Sequence, residues 1–343
     1  MKVLITGGAG YIGSTIAACC QEAGITPVIL DDYSRGLRVF AAPYAHYEGD
    51  VASADVLARV FSDHPDIDAV VHCAASIIVP ESVQRPLDYY ANNVGKTIAL
   101  LAHLQSFGVR RVILSSTAAV YAPAPDYVAS EDSPVAPQSP YAASKLIVER
   151  ILADTAATGA LSAISLRYFN PIGADPLMRS GLQDPAPTHA LGQMIAAHRA
   201  GRPFTVTGTA WPTRDGSGLR DYVHVWDLAR AHVAALTRFA DVIADTPGHA
   251  VINLGTGTGT TVFELVDAFA QATGVPLPIK TAPPRSGDVV GAAASADKAH
   301  RLLDWSPQLT LADGVAHSLE WESRLTDVLA REALAREGTA GPA

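Results

Sequence analysis

Cysteine is scarce: Cys19, Cys20 and Cys73 are the only three in 343 residues. Three thiols, two of them adjacent, form neither a disulfide framework nor a zinc-ligand spacing. No metal is therefore expected, and the thiols read as the reduced ones of a cytoplasmic protein. Charge is sparse as well. Only 17% of residues are charged, the net charge is −9 and the pI is near 5.6. No basic stripe marks a nucleic-acid binder, although a few local arginines would suffice for a small anionic ligand. No apolar run approaches the roughly 18–20 residues of a membrane span. The opening Met1–Gly8 lacks the charged, apolar and small-residue order of a secretory leader. No repeat of 20–50 residues recurs. What is present is a 48% hydrophobic composition, enough to core one large domain or two unequal ones.

Short apolar runs alternate with helical patterns over the first 170 residues. The runs are Val3–Thr6, Pro27–Leu30, Ala69–His72, Arg111–Ser115 and Ser162–Arg167. Between them lie the helical segments Ile12–Ala23, Ala54–Phe61, Ile98–Phe107 and Ala142–Ala156. Such alternation predicts an α/β fold, a doubly wound parallel sheet covered by helices on both faces. After Asn170 the pattern breaks. Residues 171–190 carry four prolines, residues 208–221 are rich in Gly, Thr and Asp, and residues 281–292 form another Pro/Gly segment. We expect residues 1–170 to form a dinucleotide-binding domain, with roughly 220–260 returning to it. Residues 171–330 should form mainly a smaller substrate-binding lobe, and 331–343 a flexible tail.

Thr6–Gly13 reads T-G-G-A-G-Y-I-G, directly after the first strand and opening the first helix. Gly7 permits the tight turn, Gly10 lets the backbone approach a pyrophosphate, and Gly13 allows close helix packing. The N–H groups at the helix start, from Tyr11 and Ile12 onward, then face the phosphates. A glycine cluster alone would mark only a turn; the strand before it and the helix after it make it a dinucleotide loop. Asp31 ends the second strand, 18 residues past Gly13. An acid there accepts from ribose hydroxyls and repels a 2′-phosphate, which selects NAD over NADP. Arg35 and Arg38 lie near enough to oppose that preference. Asp50 and Val51, between the second and third apolar runs, are placed at the adenine edge.

Tyr141 and Lys145 stand at i and i+4 on one helix face. Ser115-Ser116-Thr117 follows the fourth of the five apolar runs. A phenol titrates near pH 10. A nearby ammonium, with the positive charge of an oxidised nicotinamide, would favour the phenolate and let Tyr141 take a proton near neutral pH. Thr117 can hold the same substrate hydroxyl.

These motifs, with Val71–Ala75, Glu81–Val83, Pro86–Tyr90, Asn92–Val94, Ser115–Tyr121, Ser139–Lys145, Leu166–Pro171, Gly216–Asp227 and Asn253–Gly255, give the chain a family resemblance. Over roughly residues 1–325 it resembles the extended short-chain dehydrogenase/reductases, most closely the UDP-glucose (UDP-galactose) 4-epimerases. The resemblance implies NAD as cofactor, a UDP-hexose as substrate and a homodimer joined through helices near 90–107 and 142–157. It implies transient oxidation at the sugar's C4, rotation of the 4-keto sugar and return of the hydride. Ala74, Ala75, Asn92, Ser115 and Tyr168 would line the cofactor with the glycine loop. Asn170, Arg220 and Arg285 would hold the diphosphate, Asp288 the ribose and His189 the base. Ala292 would line the sugar pocket.

The sequence departs from the family at four places. Ile77 stands where a lysine is usual, Pro80 and Ala122 where glycine is, and Ala292 where a bulky tyrosine is. Three rival enzymes share much of the pattern. Related dehydratases carry an Asp-Glu pair after the catalytic Thr, and sugar-acid decarboxylases a glutamate; here Thr117 is followed by Ala118-Ala119. A simple dehydrogenase would release its reduced cofactor at each turnover. A cofactor-binding sensor without turnover would need the glycine loop but not Tyr141 and Lys145.

Overall fold

The computed structural model describes residues 1–123, 126–284 and 290–339. A seven-stranded, wholly parallel sheet organises it: β1 (Lys2–Thr6), β2 (Thr26–Asp31), β3 (Ala45–Glu48), β4 (Ile67–His72), β5 (Arg111–Ser115), β6 (Ser162–Tyr168) and β7 (His249–Leu254). The strand order is β7-β6-β5-β4-β1-β2-β3. Side chains alternate across it because the strand period is two. Val3, Ile5, Ile29, Val71 and Ile113 enter one core, while Leu4, Val28, Leu30, Val70 and Leu114 enter the other. Both faces are dry, which is why the five expected runs look continuously apolar in sequence. Each fully buried Leu or Ile contributes about 1.5–3 kcal/mol.

The first core is closed by α1 (Tyr11–Glu22) and, from much later in the chain, a helix at Val225–Thr237. The second is closed by α2 (Ala54–Asp63), α3 (Lys96–Ser106) and α4 (Pro140–Ala157). The helix at Val225–Thr237 is α5. At the start of α4, Ser139 accepts from Ala142 N and Pro140 occupies the first turn, so this helix begins one residue before Tyr141. A second layer holds a small sheet of Thr260–Thr261, Leu219–Arg220, Gly291–Ala294 and Val128–Ala129, in that order. Its apolar core contains Ile172, Leu191, Met194, Phe204, Leu265, Phe269 and Val315.

Two strands lacked a sequence signal. β3 is an edge strand, A-H-Y-E, with mostly exposed side chains, so no apolar run marks it. β7 buries Ala250, Ile252 and Leu254 against β6, but its run is interrupted by Asn253 and follows the irregular region. The stretch expected as a loose tail from 331 instead continues the last helix, α6 (Leu311–Thr339). The buried Glu332 accepts from Val39 N at 3.1 Å and from Arg336 Nε at 2.9 Å. That long-range anchor has no local sequence signature.

Candidate active site

The strand order reverses between β1 and β4, and ligands of doubly wound sheets bind at the carboxyl ends of such strands. The glycine loop leaves β1 there. Gly7 has φ +68°, and a Cβ on it would lie 2.6 Å from Ala74 N. A Cβ on Gly13 would lie 2.2 Å from Gly7 O. Glycine is therefore required where the loop meets β4 and where it turns back under the helix. Gly10 is different: the nearest atom to an added Cβ is 3.3 Å away. That contact, with Gly7 O, is tight but not prohibitive, so Gly10 is the least crowded of the three glycines. Gly10 cannot cap α1 and no acid sits in its first turn, so the positive end of the helix is uncompensated there. The Tyr11 hydroxyl donates to Gly173 O at 2.6 Å, tying the loop to the second layer.

Asp31 is buried at the end of β2 and accepts from Ala9 N and Tyr33 N, both at 2.9 Å. Burial raises its pKa, and those two N–H groups work against the shift. Each oxygen keeps further acceptor capacity. The two arginines that could have welcomed a 2′-phosphate are engaged elsewhere. Arg38 is bidentate to Glu48 at 2.8 and 2.7 Å, and Arg35 donates to Glu81 at 3.2 Å. Asp50 pairs with Lys96 at 2.6 Å beside the buried Val51. Ala74 and Ala75 lie in the loop after β4. Asn92 sits in a single π-turn, Ala91–Gly95, and donates to Ser76 Oγ at 3.2 Å. The sequence reading overlooked its neighbour. Asn93 accepts from Ser76 N at 2.8 Å and donates to Ser76 O and Ser144 Oγ, both at 3.0 Å. It thereby locks the post-β4 loop to α4, the helix of Tyr141.

Thr117 follows β5, 6% exposed; its Oγ1 accepts from Ala119 N at 3.2 Å, and it stands close enough to the Tyr141 phenol to lower its pKa. Lys145 is buried and donates to Ser115 O at 2.9 Å. Burial lowers the Lys145 amine to about 8, against the pull of Cys73 and Glu149. Burial pushes the Tyr141 phenol up to about 12, with Thr117 drawing it down. The protein's own groups thus leave Tyr141 above an ordinary phenol, because burial outweighs the contribution of Thr117. Tyr168 is buried at the end of β6, with the His232 ring 6.4 Å away.

Beneath these residues lies a network invisible in the sequence motifs. His232 Nδ1 contacts Leu228 O at 2.8 Å, so Nδ1 carries the proton and Nε2 is bare. Ser115 Oγ, 2.9 Å from Nε2, must donate to it. Ser115 Oγ then presents only lone pairs to the Cys73 thiol, 3.1 Å away. Burial holds His232 down near 4, so it stays neutral and this direction is fixed. Cys73 was legible only as part of a motif. His232, a lone histidine on an apolar helix, had no signal.

The substrate-side residues divide. Asn170–Ile172 pairs with Tyr222–His224, and Asn170 N donates to Asp221 O at 3.1 Å. Arg220 pairs in register with Ala292. Asn170, Arg220 and Ala292 are thus brought together around Asp221. That fully buried carboxylate accepts from Thr256 N, Thr256 Oγ1 and Ala294 N at 2.7 to 3.1 Å. Arg220 Nη1 donates to Leu219 O at 2.6 Å and to Val290 O at 3.1 Å, neither of them an anion. His189 caps the helix Ala190–Arg199, its Nδ1 accepting from Gly192 N at 3.2 Å. Only its Nε2 remains for a ligand. Arg285 and Asp288 lie outside the described residues.

A doubly wound sheet, a glycine cradle at its switch point, an acid at the end of β2 and a Tyr/Lys helix beside a Thr define an extended short-chain dehydrogenase/reductase. The chain belongs to the NAD dependent epimerase/dehydratase family, whose model matches residues 3–255. The UDP-glucose 4-epimerase of Azospirillum brasilense is 42% identical over 327 residues, 94% of this chain and 92% of that protein. The structure of UDP-glucose-4-epimerase from Stenotrophomonas maltophila, with bound NAD and formylated UDP-arabinopyranose, superposes with a TM-score of 0.88 at 36% identity. It covers 95% of this chain and 99% of that one. The enzyme from Bifidobacterium longum, in complex with NAD+ and UDP, gives 0.84 at 35% identity over 94% and 98% of the two chains.

Proposed function

We propose that this chain is an NAD-dependent UDP-hexose 4-epimerase. The observation that carries the reading is the buried Tyr141/Lys145 pair on one helix face, with Thr117 next to the Tyr141 phenol and the glycine cradle beside them. Gly7, Gly10, Tyr11, Ile12 and Gly13 hold the pyrophosphate; Asp31 takes the ribose; Asp50 and Val51 flank the adenine. Ala74, Ala75, Asn92, Ser115 and Tyr168 face the nicotinamide half. Bound NAD supplies an acceptor that takes hydride from C4 and returns it to the other face, and its oxidised ring adds a positive charge. Tyr141 removes the C4 hydroxyl proton and later returns it, while Thr117 orients that hydroxyl. The positive charge offsets the burial that holds the phenol high. Asn170, Arg220, Arg285, Asp288 and His189 hold the UDP portion, so the transient ketone can turn while its anchor stays bound. Ala118-Ala119 gives no carboxylate beside Thr117 for dehydration. Residues 1–170, with part of 220–260, serve the cofactor and 171–330 mainly the substrate.

Product analysis by NMR with UDP-galactose and UDP-glucose tests the reading. Interconversion without net NADH release is expected, supported by NAD far better than by NADP. A 4-keto-6-deoxy product, or accumulating NADH, would overturn it. Ala292 suggests a wider substrate range, because a methyl group stands on the strand beside Arg220 where a tyrosine ring would narrow the pocket. UDP-N-acetylhexosamines should be turned over too. Ala292→Tyr should reject them selectively, since overpacking costs about 1–3 kcal/mol; equal effects on both sugars would refute the size argument.

We place the protein in the cytoplasm, where its three free cysteines stay reduced. It pairs with a second copy through the exposed apolar Leu87, Ile98 and Ile147, near helices α3 and α4.

A further inference from the structure

Lys145 is followed, one turn further along α4, by Glu149, whose carboxylate is 4% exposed. It accepts from Ser116 Oγ at 2.5 Å. It also accepts from Arg167 Nε at 3.0 and 3.2 Å and from Arg167 Nη2 at 2.5 Å. Each of these neighbours adjoins a site residue: Ser116 precedes Thr117, and Arg167 precedes Tyr168. The Arg167 guanidinium lies 4.8 Å from the centre of the Tyr121 ring, and Tyr121 donates to Asn253 at 2.6 Å. One carboxylate therefore joins α4, the end of β5 and the end of β6.

We propose that Glu149 is a positioning residue that fixes Thr117, Tyr168 and the Tyr141/Lys145 pair relative to one another and is the buried counter-charge behind Lys145. The inference rests on the epimerase reading for its kinetic consequences alone. A carboxylate held by three donors on two strand ends cannot swing without uncovering a buried guanidinium. The register between the proton acceptor and Thr117 is thereby set by an ion pair, not by packing alone. The charged and titratable groups around Lys145 are Tyr141 and Glu149 on α4, His72 and Cys73 on β4 and its loop, and, on β6, Tyr168 and the Arg167 guanidinium paired with Glu149. His72 is held neutral by burial, and burial raises the Cys73 thiol to about 11 and the Tyr168 phenol well above its ordinary value. His249 on β7 faces the far side of the Glu149/Arg167 pair. Glu149 thus works against the burial that lowers Lys145 and favours its charged form.

The test compares Glu149→Gln, Glu149→Asp and the double variant Glu149→Gln/Arg167→Met with wild-type holoenzyme. The Lys145 titration is read by pH-dependent amine labelling with mass spectrometry of its peptide, alongside the pH profile of kcat/KM. Glu149→Gln should lower the Lys145 pKa by about one unit, the low end for losing an opposite charge nearby. The alkaline limb of kcat/KM should move down with it. Glu149→Asp keeps the charge but shortens the arm, so the titration should stay while kcat falls about tenfold through misplacement. The double variant removes a buried pair together, which restores thermal stability, yet its Lys145 should remain shifted. An unshifted Lys145 in both Gln variants would overturn the counter-charge role. Full kcat in Glu149→Asp would overturn the positioning role. Absence of epimerase activity in the wild type would refute the functional reading while leaving the labelling result to judge Glu149.

Discussion

A phenol pushed up to about 12 is a poor base at neutral pH, and Tyr141 is in that state through burial alone. Few groups in the protein compensate for that burial: Thr117 draws the phenol's pKa down, and Lys145 donates to Ser115 O. On the proposed reading, the missing stabilisation would come from the positive charge of the oxidised cofactor, which would couple proton removal to that form. Tyr141→Phe keeps the ring's packing and removes the proton acceptor. It should retain NAD binding and the fold but lose at least ~10²-fold in kcat, the usual scale of a general base. Steady-state rates with UDP-galactose check this, and turnover near the wild-type rate would show that another group takes the proton. The pair was legible because Tyr and Lys at i and i+4 share a helix face. Their titration was not, because it depends on burial by β4, β5 and β6, which come from three distant parts of the chain.

At the scale of elements, the glycine loop and the π-turn do related work. The loop brings β1 against the segment after β4, and Asn93 in the π-turn pins that same segment to α4. The glycine loop and the Tyr141 helix are thereby one connected unit. Gly7→Ala tests the tight end of it. The new methyl would meet Ala74 N at 2.6 Å in a backbone conformation, φ +68°, that alanine resists. The variant should lose about 1–3 kcal/mol and most of the thermal stabilisation that added NAD gives the wild type. Unfolding scans with and without NAD measure both effects; an unchanged NAD-dependent shift would show that the cradle tolerates a side chain. The glycine spacing announced this element in the sequence. The π-turn did not announce itself, since A-N-N-V-G carries no local pattern that separates it from ordinary helix.

Across the whole molecule, three histidines are buried as neutral rings. Burial lowers His72 to about 3 and His224 and His232 to about 4. Their tautomers are committed. His72 must donate from Nε2 to Thr97 Oγ1, whose own proton goes to Asn93 O, and accept from Thr6 at Nδ1. His224 accepts from Trp226 N, so its Nε2 donates to His317 Nδ1 at 2.9 Å, joining α5 to α6. The unfolded chain binds these protons near pH 6.5, whereas the folded one resists them. Stability is therefore intact above about pH 6.5 and falls as the pH drops toward 4. Melting temperatures across that window should decline steeply, and His224→Asn, which can still cap α5, should flatten the decline. A profile that is level down to pH 4.5 would contradict the burial argument. The sequence by itself determined the period-two strands, the glycine turn and the Tyr/Lys face, because each is a local pattern enforced by backbone geometry or helix periodicity. It also placed Asp31 at the end of its strand. Only the tertiary structure decided that Arg35 and Arg38 are occupied by Glu81 and Glu48, that Glu149 spans two strand ends, and that β3, β7 and the end of α6 are ordered elements. Each of those depends on partners between 10 and almost 300 residues away in the chain, and no pattern in a short window encodes a contact at that separation.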